Sequence, residues 1–215
     1  MNLALNKLIP VITTKLQETL PGKKAHIKLA PYRQATELLN LKDKNPTLAS
    51  TLLLLYQKND KIKFILIQRT EYNGNHSGQI SFPGGKKENN ETLKQTALRE
   101  TKEELGIDID NIDILGKLSN VYVPPSNFLI HPFVGVIEKI NSFKPCPIEV
   151  ESVIEVSLSD LFIKDIVKNK VLTVGEKTNN SMKIKVPYFD LKNNIVWGAT
   201  GVILSEFRDM LIDKY

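Results

Sequence analysis

Apolar and polar positions change period several times along the chain, and each change marks an element. Residues 2–20 place Leu3, Leu8, Val11, Ile12, Leu16 and Leu20 on one side of a helix, with Pro10 as an expected interruption and Pro21 and Gly22 as its end. Residues 23–47 are mixed, contain Pro31 and Pro46, and read as a connection. Two apolar, β-rich runs follow at 51–56 and 63–69, and the polar turn at 57–60 between them makes a hairpin. Residues 70–85 carry Gly74, Gly78, Pro83, Gly84 and Gly85 and read as a loop. Helical spacing returns at 92–105, where Leu93, Ala97, Leu98 and Leu105 supply the buried side and Gly106 the stop. Strands are expected at 112–123, 128–138 and 150–156, and a short helix at 159–167. Paired strands at 183–189 and 194–197 flank a turn at 190–193, and a helix at 200–212 closes the chain. Strands and helices intermixed in this way predict an α/β or α+β fold. Residues 1–47 form an N-terminal helix and connection, and 48–215 the main domain.

Composition narrows the classes. At 215 residues, 41% hydrophobic and 25% charged, the chain suits one globular domain of ordinary size. Its net charge of +5 suits an anionic partner. The lysines are scattered, with no run of five or six, which argues against a nucleic-acid arm. The single Cys146, between Pro145 and Pro147, excludes an intrachain disulfide and reads as a structural or incidental loop residue. No charged n-region precedes an unbroken apolar core, and the longest apolar run, 52–56, is far too short to span a bilayer. The expectation is a cytoplasmic protein with no membrane partner.

The stretch 85–107, GKKENNETLKQTALRETKEELGI, carries the chemistry. It holds five glutamates, and Glu100, Glu103 and Glu104 have the spacing of one helix face. Like charges so placed repel. Carboxylate oxygens are hard ligands suited to Mg²⁺ or Mn²⁺, which substrate phosphates then complete. Gly84 and Gly85 let the backbone approach a ligand closely, and a carbonyl there adds a further oxygen. Arg99, beside Glu100, has the fork of donors to orient a carboxylate or touch phosphate. A solvated charged face is the plainer explanation of the glutamates taken alone.

The spacing as a whole favours the site. Gly85, Glu91, Arg99, Glu100, Glu103, Glu104, Gly106 and Ile107 fit G-x(5)-E-x(7)-R-E-U-x-E-E-x-G-U, where U is a bulky apolar residue. This resembles the signature of the Nudix hydrolases, with one departure: Thr101 stands where the pattern asks for an apolar residue. The resemblance implies an α/β/α sandwich around a mixed sheet, with an N-terminal and a C-terminal helix. It implies hydrolysis of a nucleoside diphosphate linked to another group, with Mg²⁺ or Mn²⁺ as cofactor. It also implies that Glu100, Glu103 and Glu104 hold metal with the Gly85 carbonyl, and that Arg99 and Glu91 orient them.

Upstream, IQRTEYNGNHSGQISFPGG is similar to the segment preceding this motif in the coenzyme A pyrophosphatase subgroup. Arg69, Gly78 and the run Phe82, Pro83, Gly84 and Gly85 occupy its positions, while Gly74 replaces an Arg and Ile67 a Thr. The segments around Leu20 and Ala30, and 196–200, look like its flanks. The implied reaction cleaves coenzyme A, or its acyl esters, to 3′,5′-ADP and 4′-phosphopantetheine. Arg69 and His76 are the candidates for substrate phosphates, and Trp197 for helix packing or stacking on a base. Glu149, Glu151 and Glu155 are candidates for a general base outside the motif, among which the sequence leaves the choice open. An ADP-ribose or dinucleotide diphosphatase is the alternative. A nucleotide-sensing regulator without catalysis ranks third, since the motif acids are intact. The helix at 2–20 has two places to pack, its own domain or a second subunit, so a homodimer stays open.

Overall fold

One strand, β1 (Thr47–Lys58), separates two hydrophobic layers. Alternation along a strand sends successive side chains to opposite faces. Leu53 and Leu55 enter one cluster, while Leu52, Leu54 and Tyr56 enter another. A computed structural model describes residues 4–31, 44–71, 78–174 and 182–214 of the chain.

β1 turns into β2 (Lys61–Arg69) through Asn59 and Asp60, both at positive φ (52° and 57°). That is the two-residue hairpin whose twist matches the strands. The loop expected at 70–85 contains two short strands, β3 (Ile80–Ser81) and β4 (Gly84–Lys86). The motif helix is α3 (Leu93–Leu105), after α1 (Leu5–Gln17) and α2 (Lys23–Leu29). Next come β5 (Ile112–Lys117), β6 (Val121–Val123), β7 (Phe128–Ile137) and β8 (Val150–Ser157). β9 (Val167–Val174), β10 (Met182–Leu191), β11 (Asn194–Val196) and α4 (Gly198–Leu211) follow, and a 3₁₀ turn at Ile212–Lys214 ends the described chain.

The main sheet runs β3-β2-β1-β7-β5, with β4 on β1, β6 on β7 and β8 on β2. It is mixed: β1 and β7 are parallel, and β1 and β2 antiparallel. α3 covers one face through Ala97 and Leu105. α1, α2 and α4 cover the other, so the molecule is an α/β/α sandwich. β9, β10 and β11 form a separate antiparallel sheet.

Several elements differ from the sequence expectation. α1 runs through Pro10, which is exposed, because Leu5, Leu8 and Ile12 are buried on either side of it. α2 lies inside the expected connection. Its seven residues are too short to persist alone, and burial of Ala25 and Leu29 holds them. The strand expected at 112–123 breaks at Ser119, whose N–H and hydroxyl donate to Glu206 Oε2 and Oε1 (3.2 and 2.6 Å). The helix expected at 159–167 is a 3₁₀ turn at Leu158–Phe162, after which Asp165 takes a left-handed conformation and β9 begins. Among the described residues, no helix is long and apolar enough to cross a membrane.

Candidate functional site

The motif helix is closed at both ends by its own sequence. Thr92 Oγ1 accepts from Gln95 N (3.2 Å) while Thr92 N donates to Gln95 Oε1 (2.8 Å), a capping box. Gly106, at φ 62°, ends it by donating to Lys102 O (2.8 Å). Thr101, the departure from the motif, is buried and donates its hydroxyl to Ala97 O (2.7 Å). Its polar atom is thereby satisfied within the helix.

The two glycines of β4 set the approach of strand to helix. Thr51 pairs with Gly84 and Ser50 with Gly85. A Cβ at Gly84 would lie 2.2 Å from Ser50 O, and one at Gly85 would lie 2.4 Å from Glu100 Oε1. Gly84 is therefore needed for β4 to lie against the backbone of β1, while Gly85 leaves room for the Glu100 carboxylate.

The three spaced glutamates meet different environments. Glu104 is buried, accepting from Gly84 N at Oε2 (2.8 Å) and from Arg69 Nη1 at Oε1 (3.1 Å). Burial pushes its pKa up to about 8, Gly84 and Arg69 oppose this, and the charges of Glu100 and Glu149 add to it. Glu100 is also pushed up by burial, against the pull of Arg99, with Glu103 and Glu149 adding repulsion. Glu103 has a side chain 55% exposed.

Arg99 ties these acids together. Its Nη1 lies 2.9 Å from Glu100 Oε1 and donates to Glu103 Oε2 (2.8 Å). Nε and Nη2 form a fork on Glu91 (3.1 and 3.0 Å), and Nη2 also donates to Lys86 O (3.1 Å). The Arg99 bonds hold the Glu91 carboxyl down at about 2, helped by donors from Glu88 N and Thr96 Oγ1. Glu91 thereby fastens the β4–α3 loop to the helix.

Glu100, Glu104 and the neighbouring Gly85 carbonyl are hard oxygen donors. Glu104 is buried and Glu100 half-buried, and two carboxylates drawn out of water beside a third, Glu103, are the chemistry a divalent cation satisfies. Among the described residues, no three acidic, histidine or cysteine side chains close into a ready-made cage. Arg99 spans Glu100 and Glu103, while Glu104 is turned toward Arg69 and Gly84.

The three outlying glutamates separate clearly. Glu155 accepts from Tyr56 Oη and from Lys58 Nζ (2.9 Å). Burial raises its pKa, but those two donors outweigh it and leave it lowered. Glu151 is exposed and is the residue skipped where the β2–β8 register passes from Gln68 with Ser152 to Arg69 with Val150. Glu149, exposed just before β8, is the one whose charge is felt by both Glu100 and Glu104. Arg69, expected at substrate phosphate, is directed to Glu104. His76 and Gly74 lie outside the described residues. Trp197 is the residue before α4, and Cys146 donates its N–H to Glu104 O (3.2 Å). Sequence reasoning did not foresee the Gly84 N–H as a donor to Glu104. The signal was the pair of adjacent glycines facing a buried acid.

The family model for the NUDIX domain matches residues 46–173. Nudix hydrolase 15, mitochondrial, of Arabidopsis thaliana is 32% identical over 167 residues, covering 74% of this chain and 56% of its own length. The chain thus spans little more than half of that relative. Nudix hydrolase 3 of Caenorhabditis elegans is 28% identical over 199 residues, covering 84% and 80%. Among solved structures, a MutT/nudix family protein from Enterococcus faecalis covers 91% of this chain and 76% of its own at a TM-score of 0.51 and 16% identity, a likeness of fold. With more than half its length matched by the domain and Arg99, Glu100, Glu103 and Glu104 of its motif on one capped helix, the chain belongs to the Nudix hydrolase family.

Proposed function

We propose that the chain hydrolyses the diphosphate of a nucleoside diphosphate linked to a second group, and that coenzyme A or its acyl esters are the substrates. The observation that carries the reaction class is the pair of acids, buried Glu104 and half-buried Glu100, against Gly84 and Gly85. The substrate reading rests on Arg69, Gly78 and the run from Phe82 to Gly85, set as in the coenzyme A subgroup.

In this reading Glu100, Glu103 and Glu104 hold Mg²⁺ or Mn²⁺ with the Gly85 carbonyl. The cation, when bound, neutralises the diphosphate and makes water a better nucleophile. Arg69 and the Gly84 N–H hold Glu104 in place, and the Glu91–Arg99 fork does the same for Glu100 and Glu103. A water attacks one phosphorus in line, the bridging P–O bond breaks, and two phosphomonoesters leave. Glu149 takes the proton of that water in this reading, which is supported by its charge acting on both Glu100 and Glu104 while Glu155 is engaged by Tyr56 and Lys58.

The test is the purified chain with Mg²⁺ or Mn²⁺ and a panel of coenzyme A, acyl-coenzyme A, ADP-ribose and NADH, with products identified. Release of 3′,5′-ADP from coenzyme A is expected. Turnover of ADP-ribose or NADH without coenzyme A would sink the substrate assignment.

A further inference from the structure

Thr70 follows Arg69 at the end of β2, and each of its polar groups is used. Its hydroxyl donates to Ile148 O (2.7 Å). Its N–H donates to Glu149 O (3.1 Å), and its carbonyl accepts from Gly78 N (3.3 Å). One residue therefore joins the Arg69–Glu104 pair, the start of the loop before the motif, and the turn that carries Glu149.

That turn is built almost wholly from backbone bonds. Glu149 N and Val150 N both donate to Cys146 O (3.1 and 2.8 Å). Cys146 N and Lys144 N donate in turn to Glu104 O and Leu105 O on the last turn of α3 (3.2 and 2.8 Å). Apolar burial contributes little, because Ile148 is 81% exposed and Glu149 is exposed too. On one side the turn is sewn to the acidic helix, and on the other, among the described residues, Thr70 ties Ile148 and Glu149 to β2 before β8 pairing begins at Val150. Residue 151 is skipped in that pairing, so the ladder is locally interrupted where the turn meets β8.

We propose that Thr70 is a positioning residue, whose hydroxyl on the Ile148 carbonyl sets the distance of Glu149 from Glu100 and Glu104. This rests on the reading of Glu149 as the proton acceptor for the attacking water. A misplacement of about 1 Å in such a group costs on the order of 100-fold in rate. The hydroxyl acts on kcat and leaves substrate affinity to other residues.

The experiment measures kcat and KM of the whole chain with Mg²⁺, on the diphosphate it turns over fastest, for Thr70→Val, Thr70→Ser, Glu149→Gln and the Thr70→Val/Glu149→Gln double variant. Thermal unfolding checks each fold, and Thr70→Ala removes the same hydroxyl should the valine not pack. Thr70→Val is expected to lower kcat by roughly 10- to 100-fold with KM little changed, and Thr70→Ser to restore it. In the Glu149→Gln background the same change should cost less than about 2-fold, the non-additivity of groups acting as a unit. Equal losses in both backgrounds, or no rescue by serine, would overturn the proposal. Full activity of Thr70→Val beside an impaired Glu149→Gln overturns it while leaving the role of Glu149 standing. Full activity of Glu149→Gln overturns both.

Discussion

Arg69 Nη1 donates to Glu104 Oε1 at 3.1 Å, so the arginine at the end of β2 is spent on a buried carboxylate of the acidic helix. With the Gly84 N–H on Oε2, both oxygens of Glu104 are fixed before any ligand arrives. Arg69→Ala is expected to raise the Mg²⁺ concentration for half-activity and to lower kcat, each by about 10- to 100-fold, as loss of a partner that orients a ligand does. Metal titrations at fixed substrate check this. A raised KM with unchanged metal dependence would instead place Arg69 on substrate phosphate.

Glu104 also sets a pH dependence. Its folded pKa, about 8, lies above the ordinary 4.5. Between these values the native state binds more protons than the unfolded one, so this group favours folding fully below about 4.5 and loses that contribution as pH rises through about 8. In EDTA, wild-type stability relative to Glu104→Gln should fall from pH 5 to pH 8.5, as read by urea unfolding. The same variant should lose most of its hydrolytic rate.

Gly85→Ala tests the close approach of β4. The added Cβ would meet the Glu100 carboxylate at 2.4 Å, the far end of a flexible side chain. The fold should survive and Glu100 should be displaced, costing at least about 100-fold in kcat. Unfolding temperature and activity measured together separate this from global damage.

Glu206 is a second buried acid, outside the motif. It accepts from Gly22 N (3.0 Å), from Ser119 N and Oγ, and pairs with His26 Nε2 (2.9 Å). Burial raises its pKa, but the His26 and Ser119 donors outweigh this and leave it lowered. A lowered carboxylate adds stability above about 4.5 that is lost as pH falls through the folded value. Glu206→Ala should cost about 3 kcal/mol at pH 7, since it removes one partner of a buried pair. Its deficit should shrink as pH falls below about 4.5, measured by denaturant titration at pH 7, 4.5 and 3.

Where a structure depends on neighbours in the chain, the sequence was enough. The Asn59–Asp60 turn, the alternation of β1, and α3 between Thr92 and Gly106 follow from local propensity and period. The motif acids could be listed for the same reason, because helical spacing alone places them close together. Other features depend on residues distant in sequence. α2 exists because Ala25 and Leu29 are buried and His26 meets Glu206, 180 residues away. β9 exists because β10 pairs with it, and the break at Ser119 because Glu206 claims its donors. Glu149, Glu151 and Glu155 look alike as a list. Only the β2–β8 register and the loop sewn to α3 bring the charge of Glu149 to bear on Glu100 and Glu104, and leave Glu155 on Tyr56 and Lys58. Local sequence determined which groups this protein carries and the helix that bears them. Long-range pairing and burial decided which are held, which are buried, and which face one another.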